Sequence, residues 1–122
     1  MARILLIDDD DLVRAMLSQT LAHFGHVVTE ARNGVEGLQM FAASGSDLVI
    51  TDIVMPDKEG LEVVMELRAG PNPPRIIAMS GGGRQSPTDY LRLAKHLGAS
   101  TVLSKPFSSE TLMAAVNSLL GT

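Results

Sequence analysis

Four short apolar runs in this chain each end abruptly in a polar residue. Ile4–Ile7 leads into Asp8 and Asp9, Leu48–Thr51 into Asp52, Ile76–Met79 into Ser80, and Val102–Ser104 into Lys105. Continuous apolar runs of this length are what strands covered on both faces of a parallel sheet look like. The strands are read as 3–7, 26–30, 47–51, 75–79 and 101–103, with the second more polar and so assigned to an edge.

Between the runs the apolar period changes from that of strands to that of helices. Leu12, Val13, Met16, Leu17, Thr20, Leu21 and Phe24 fall on one helical face, with Arg14, Ser18 and Gln19 on the other and Gly25 as the stop. Asn33 with Glu36 three positions on opens a helix to about Ala43. After the loop at 52–60, which holds Pro56 and Gly60, a helix runs from Leu61 to Ala69. Ser86-Pro87 opens another that ends at Leu97 before Gly98, and Ser108 caps a last one to about Leu120.

Five strands alternating with five helices predict an α/β fold, a doubly wound five-stranded parallel sheet with helices on both faces. In the order 2-1-3-4-5, the carboxyl ends of the strands bring Asp8, Asp9, Asp52, Ser80 and Lys105 to one edge.

Composition narrows this further. The 122 residues, 45% of them hydrophobic, suit one domain spanning 1–122 with a core of its own. The absence of cysteine excludes disulfides and thiolate metal sites. A net charge of −4 offers no electrostatic case for nucleic acid. No apolar stretch reaches the roughly 20 residues of a membrane span, and no secretory signal is legible at the start. A soluble cytoplasmic protein without an output domain is expected, working through other proteins.

Taken singly, each strand-end residue has an ordinary explanation. The run Asp8–Asp11 can cap a helix, Asp52 can serve a turn, and Lys105 can be a solvated lysine. Together they form an anionic pocket. Two unit charges about 5 Å apart repel by on the order of 3 kcal/mol at an effective dielectric near 20. Such a cluster requires a compensating cation or shared protons, and an all-oxygen donor set suits Mg²⁺, with Mn²⁺ as the alternative. A carboxylate beside a hard cation, a hydroxyl and an ammonium is arranged for attack on phosphorus.

With these residues in view, the chain resembles the receiver domain of two-component response regulators over essentially its whole length. The matching motifs are Ile7-Asp8-Asp9, Asp52-Ile53-Val54-Met55-Pro56 with Gly60, Ser80-Gly81, and Lys105-Pro106-Phe107. The order 2-1-3-4-5 is that of the flavodoxin-like class, which includes a chemotaxis receiver, so the order rests partly on this resemblance. The resemblance implies that Asp52 is the phosphoacceptor. It further implies that Asp9 binds Mg²⁺ directly, Asp8 binds it through water or as a second ligand, and the Val54 carbonyl supplies another. Ser80 would sense the phosphoryl group, Lys105 would pair with its oxygens, and the Lys105–Pro106 bond would be cis. The implied donor is a histidine kinase or histidine phosphotransfer protein, and the implied output a downstream protein target. The domain would be a switch acting on itself, not an enzyme turning over a small substrate.

Three departures from the family pattern stand out. Val102 replaces the aromatic residue often found three positions before the lysine, and Val54 and Gly82 are apolar where relatives tune the access of water. A receiver-like binding module that works without phosphorylation and a small metal-dependent phosphohydrolase are the competing readings. Outside the cluster, His23, His26 and His96 show no metal-ligand spacing and are expected at the surface. The methionines are read as core filler. The last helix has Glu110 as its only charge, with Leu112, Val116 and Leu119 inward and Met113, Ala114 and Leu120 partly outward. It is read as a contact surface, for a partner or for a homodimer through the last two helices and fifth strand.

Overall fold

The computed structural model describes residues 2–53, 60–80, 92 and 94–121. The strands are β1 (Arg3–Ile7), β2 (Val27–Ala31), β3 (Leu48–Asp52), β4 (Arg75–Ser80) and β5 (Thr101–Ser104). They form one parallel sheet in the order β2-β1-β3-β4-β5, the flavodoxin-like doubly wound arrangement. Helices α1 (Asp11–His23), α2 (Gly34–Ser44), α3 (Gly60–Ala69) and α4 (Ser109–Leu120) flank it, and residues 94–97 are also helical. The expected start of that stretch at Ser86-Pro87, the Gly81–Gly83 loop and Val54 lie outside the described residues.

Because side chains alternate across a strand, each buried strand feeds two cores. Leu5, Ile7, Val49, Ile76 and Ala78 pack on the side of α3, against Val63, Val64 and Leu67. Ile4, Leu6, Leu48, Ile50, Ile77 and Met79 face the opposite side, with Leu21 of α1 and Leu112, Met113 and Val116 of α4. Edge strand β2 is the least buried of the five.

Several strand boundaries fall one residue later than the apolar runs suggest. Polarity misleads there, because the ladder is made by the main chain. Ile53 N–H donates to Met79 O and Lys105 N–H to Ser80 O, so Asp52, Ser80 and Ser104 belong to strands. At the other end, His26 N–H still donates to Leu21 O of α1, and the β2 ladder opens only where Val27 pairs with Arg3.

Helix α1 is phased differently from the expected stripe. Leu12, Met16 and Phe24 are exposed, whereas the Arg14 side chain is only 11% exposed and turns inward. The cause is a set of three acceptors for its guanidinium, described below. Met16 and Met65 are exposed as well, so not every methionine fills the core. In α4 Met113 is buried, not outward, because the helix beds deeply on the sheet beside Leu112 and Val116. His23 and His96 are exposed, but His26 is half-buried with Nδ1 accepting from the Ala2 N–H. The expected caps are present: Asp10 Oδ1 accepts from Leu12 N–H and Val13 N–H, Asn33 Oδ1 from Glu36 N–H, and Ser108 Oγ from Thr111 N–H.

Candidate functional site

Neighbouring strands place the anionic residues together. Strand β1 lies between β2 and β3, with Ile7 opposite Thr51, so Asp8 emerges beside Asp52. The register continues across the sheet: Asp52 is opposite Met79, and Ser80 is opposite Ser104, the residue before Lys105. Asp8 is fully buried, Asp52 and Ser80 nearly so, and Asp9 is open to solvent.

The three carboxylates of Asp8, Asp9 and Asp52 each present an oxygen within 4.8 Å of the others. Lys105 Nζ donates to Asp8 Oδ2 at 3.1 Å and to Asp52 Oδ2 at 3.1 Å. One ammonium thus bridges the two buried acids. Burial is the largest single influence on that ammonium and disfavours its charge. Attraction to Asp52 and Asp8, with hydrogen bonds to both, outweighs burial and leaves the Lys105 pKa above the ordinary lysine value. The Lys105–Pro106 peptide bond is cis.

Asp8 is constrained at four points. Its N–H donates to Ala31 O of β2, and its carbonyl accepts from Arg14 Nη1 at 2.8 Å. Its Oδ1 accepts from Asp10 N–H at 2.9 Å, while Oδ2 takes Lys105. Asp9, next in the chain, faces water.

This donor set fits a hard divalent cation. It is all oxygen, strongly anionic, and open on the Asp9 side, so that a cation could keep several waters as Mg²⁺ prefers. Both Asp8 oxygens already accept hydrogen bonds whereas Asp9 is open to solvent, which favours Asp9 as a direct ligand and Asp8 through water. Among the described residues, Lys105 supplies one positive charge against three carboxylates, leaving room for a dication.

Of the residues singled out from the sequence, Asp8, Asp9, Asp52 and Lys105 therefore meet. Ser80 is buried at the carboxyl end of β4, between the strands that carry Asp52 and Lys105. The Val54 carbonyl lies outside the described residues. Val102 is half-buried and packs against the core on the α3 side. Arg14 and the Asp10 N–H adjoin the site without standing out in the sequence. The signal for Arg14 was its spacing, since it falls in one inward stripe with Leu17 and Leu21.

Comparison with known proteins identifies the family. A family model for the response regulator receiver domain matches residues 4–117. The chain is 31% identical over 118 residues to the chemotaxis protein CheY of Halobacterium salinarum, covering 97% of this chain and 96% of that protein. It is 36% identical over 118 residues to the response regulator MprA of Mycobacterium ulcerans, where the match covers 97% of this chain but 50% of the relative. The chain thus spans half the length of that regulator and nearly all of the chemotaxis protein. Among solved structures, a response regulator receiver domain protein from Clostridium thermocellum superposes with a TM-score of 0.89 at 30% identity, covering 99% of this chain and 95% of that one. Chemotaxis protein CheY4 of Vibrio cholerae gives a TM-score of 0.84 at 30% identity, covering 98% of both chains.

Proposed function

The chain belongs to the response regulator receiver domain family of two-component signalling, and from that premise we propose that Asp52 accepts a phosphoryl group in a Mg²⁺-dependent reaction. The observation that carries the proposal is the Lys105 ammonium bridging Asp8 and Asp52, with Asp9 alongside.

In the proposed reaction an Asp52 carboxylate oxygen attacks the phosphorus of a phosphohistidine on a partner kinase or phosphotransfer protein. The O–P bond forms as the N–P bond breaks, and the departing imidazole takes a proton from solvent. Asp9 and Asp52, with Asp8 through water and the Val54 carbonyl, would hold Mg²⁺, or Mn²⁺ in its place. The cation, when bound, offsets negative charge on the transferring group. Lys105 exchanges its bond to Asp52 for one to a phosphoryl oxygen, and the Ser80 hydroxyl donates to another. The burial of Asp8, Asp52 and Ser80 limits competing water around these groups.

Output follows as a population shift. The phosphorylated state favours a conformation in which Ser80 moves toward the phosphate, and a downstream protein recognises the altered surface. A homodimer through β5 and the last two helices is the alternative readout, supported by the sparse charge of α4. The protein acts in the cytoplasm as a switch, without turnover of a small substrate. No described helix is long and apolar enough to cross a membrane.

Incubation with Mg²⁺ and phosphoramidate or acetyl phosphate, read by intact mass, tests the proposal. One added phosphate, absent from Asp52→Asn and from samples with excess EDTA, is the expected result. No addition with any donor would overturn it.

A further inference from the structure

Arg14 stands apart from the pocket yet reaches its main chain. Its side chain is only 11% exposed although it lies on a surface helix, and its guanidinium has three partners on different elements. Nη1 donates to Asp8 O at 2.8 Å, Nη2 to Asp11 Oδ1 at 2.6 Å, and Nε to Glu30 Oε1 at 3.2 Å. A helix surface position does not by itself call for a half-buried arginine. The three acceptors explain it, because a planar fork satisfies divergent oxygens that lysine's single nitrogen cannot.

The contact that matters is the one to Asp8 O. A peptide unit is planar, so the carbonyl of Asp8 and the N–H of Asp9 move as one body. Fixing that carbonyl fixes the plane from which Asp9 departs. The same turn is closed from the other side by Asp10 N–H donating to Asp8 Oδ1. Asp11 and Glu30 hold the guanidinium in place, Glu30 from edge strand β2. The Asp8–Asp10 turn is thereby clamped between α1 and β2.

We infer that Arg14 is a positioning residue for the cation site: it sets the Asp8–Asp9 peptide so that both carboxylates face Asp52, without itself touching cation or phosphate. This rests on the metal-dependent reading above. Partners one shell away from a metal commonly govern its affinity, their loss costing about 10- to 100-fold.

The test compares Arg14→Met and Arg14→Lys with Arg3→Met as the control. Arg3 is another main-chain clamp, donating to Ser44 O and Gly45 O at the opposite end of β1. Mg²⁺ affinity is read by titration calorimetry, and the turn by the amide shift and exchange rate of Asp10 in NMR. Both Arg14 variants are expected to bind Mg²⁺ about tenfold more weakly or worse and to move the Asp10 amide. Arg3→Met is expected to leave both unchanged whatever it does to stability. Wild-type Mg²⁺ affinity in Arg14→Lys would mean that charge and not geometry matters, and would overturn the inference. So would unchanged affinity in both Arg14 variants. If Arg14→Met does not fold, Glu30→Ala, which removes the acceptor for Nε, takes its place, and an unmoved affinity and Asp10 amide would again overturn it. A wild-type protein that binds no Mg²⁺ would sink the metal-dependent reading instead, and the Asp10 amide would then decide the positioning role alone.

Discussion

Gly60 presses directly on the main chain of Asp52: a Cβ added at Gly60 would lie 2.1 Å from the Asp52 carbonyl oxygen and 2.4 Å from Ile53 Cα. The first residue of α3 is thus seated on the end of β3, with Gly60 N–H donating to Ile53 O. A methyl group there has only backbone to displace. Gly60→Ala should therefore destabilise the domain by about 2 kcal/mol, since overpacking against rigid surroundings outweighs the ~1 kcal/mol that alanine gains in a helix. Gly37 offers the contrast. Its added Cβ would meet the far end of the Ile7 side chain at 2.4 Å, which can rotate away. Urea unfolding of the two variants should show the larger loss at Gly60, and equal losses would contradict this account.

Crowded carboxylates make a second prediction. With oxygens of Asp8, Asp9 and Asp52 within 4.8 Å of one another, the metal-free protein stores repulsion that a dication relieves. At ten times its dissociation constant, Mg²⁺ should stabilise the fold by about 1.4 kcal/mol, raising the melting temperature by several degrees. Asp9→Ala should be at least as stable as wild type in EDTA and should lose most of the Mg²⁺ response. A melting temperature indifferent to millimolar Mg²⁺ would count against the site.

Lys105 supplies a pH dependence whose sign is fixed by its surroundings. Its folded pKa is raised, because the Asp52 and Asp8 attractions outweigh the opposing burial. The stabilisation it contributes is therefore complete below the unfolded lysine value of about 10.4 and is lost as pH climbs through the higher folded value. In EDTA, Lys105→Met should be less stable than wild type at neutral pH, because two buried acids lose their shared cation. That gap should stay constant to about pH 9.5 and close only in stronger alkali. Unfolding curves that converge near neutral pH would contradict the assignment.

The fold is legible because four of its five strands are short apolar runs, and the site because its acids and lysine sit where those runs stop. What escaped the sequence has physical causes. Main-chain pairing continues through Asp52, Ser80 and Ser104 regardless of their polarity, so hydropathy ends a strand too early. The phase of α1 differs because hydropathy sends Leu12 and Met16 inward and Arg14 outward. Hydrogen-bond acceptors at Asp8, Asp11 and Glu30 reverse that ranking, and two of the three lie off the helix. Met113, expected partly outward, is buried on a helix with so little charge that composition does not orient its polar face.

Chemical location of the phosphoryl group decides whether Asp52 is the acceptor. Borohydride reduces an acyl phosphate on aspartate to the corresponding alcohol, and peptide mass spectrometry then reads the modified position after phosphoramidate treatment in Mg²⁺. Reduction is expected at Asp52 alone, lost when Mg²⁺ is chelated before the donor is added. Modification at Asp8 or Asp9, or none in a protein that remains folded, would contradict it.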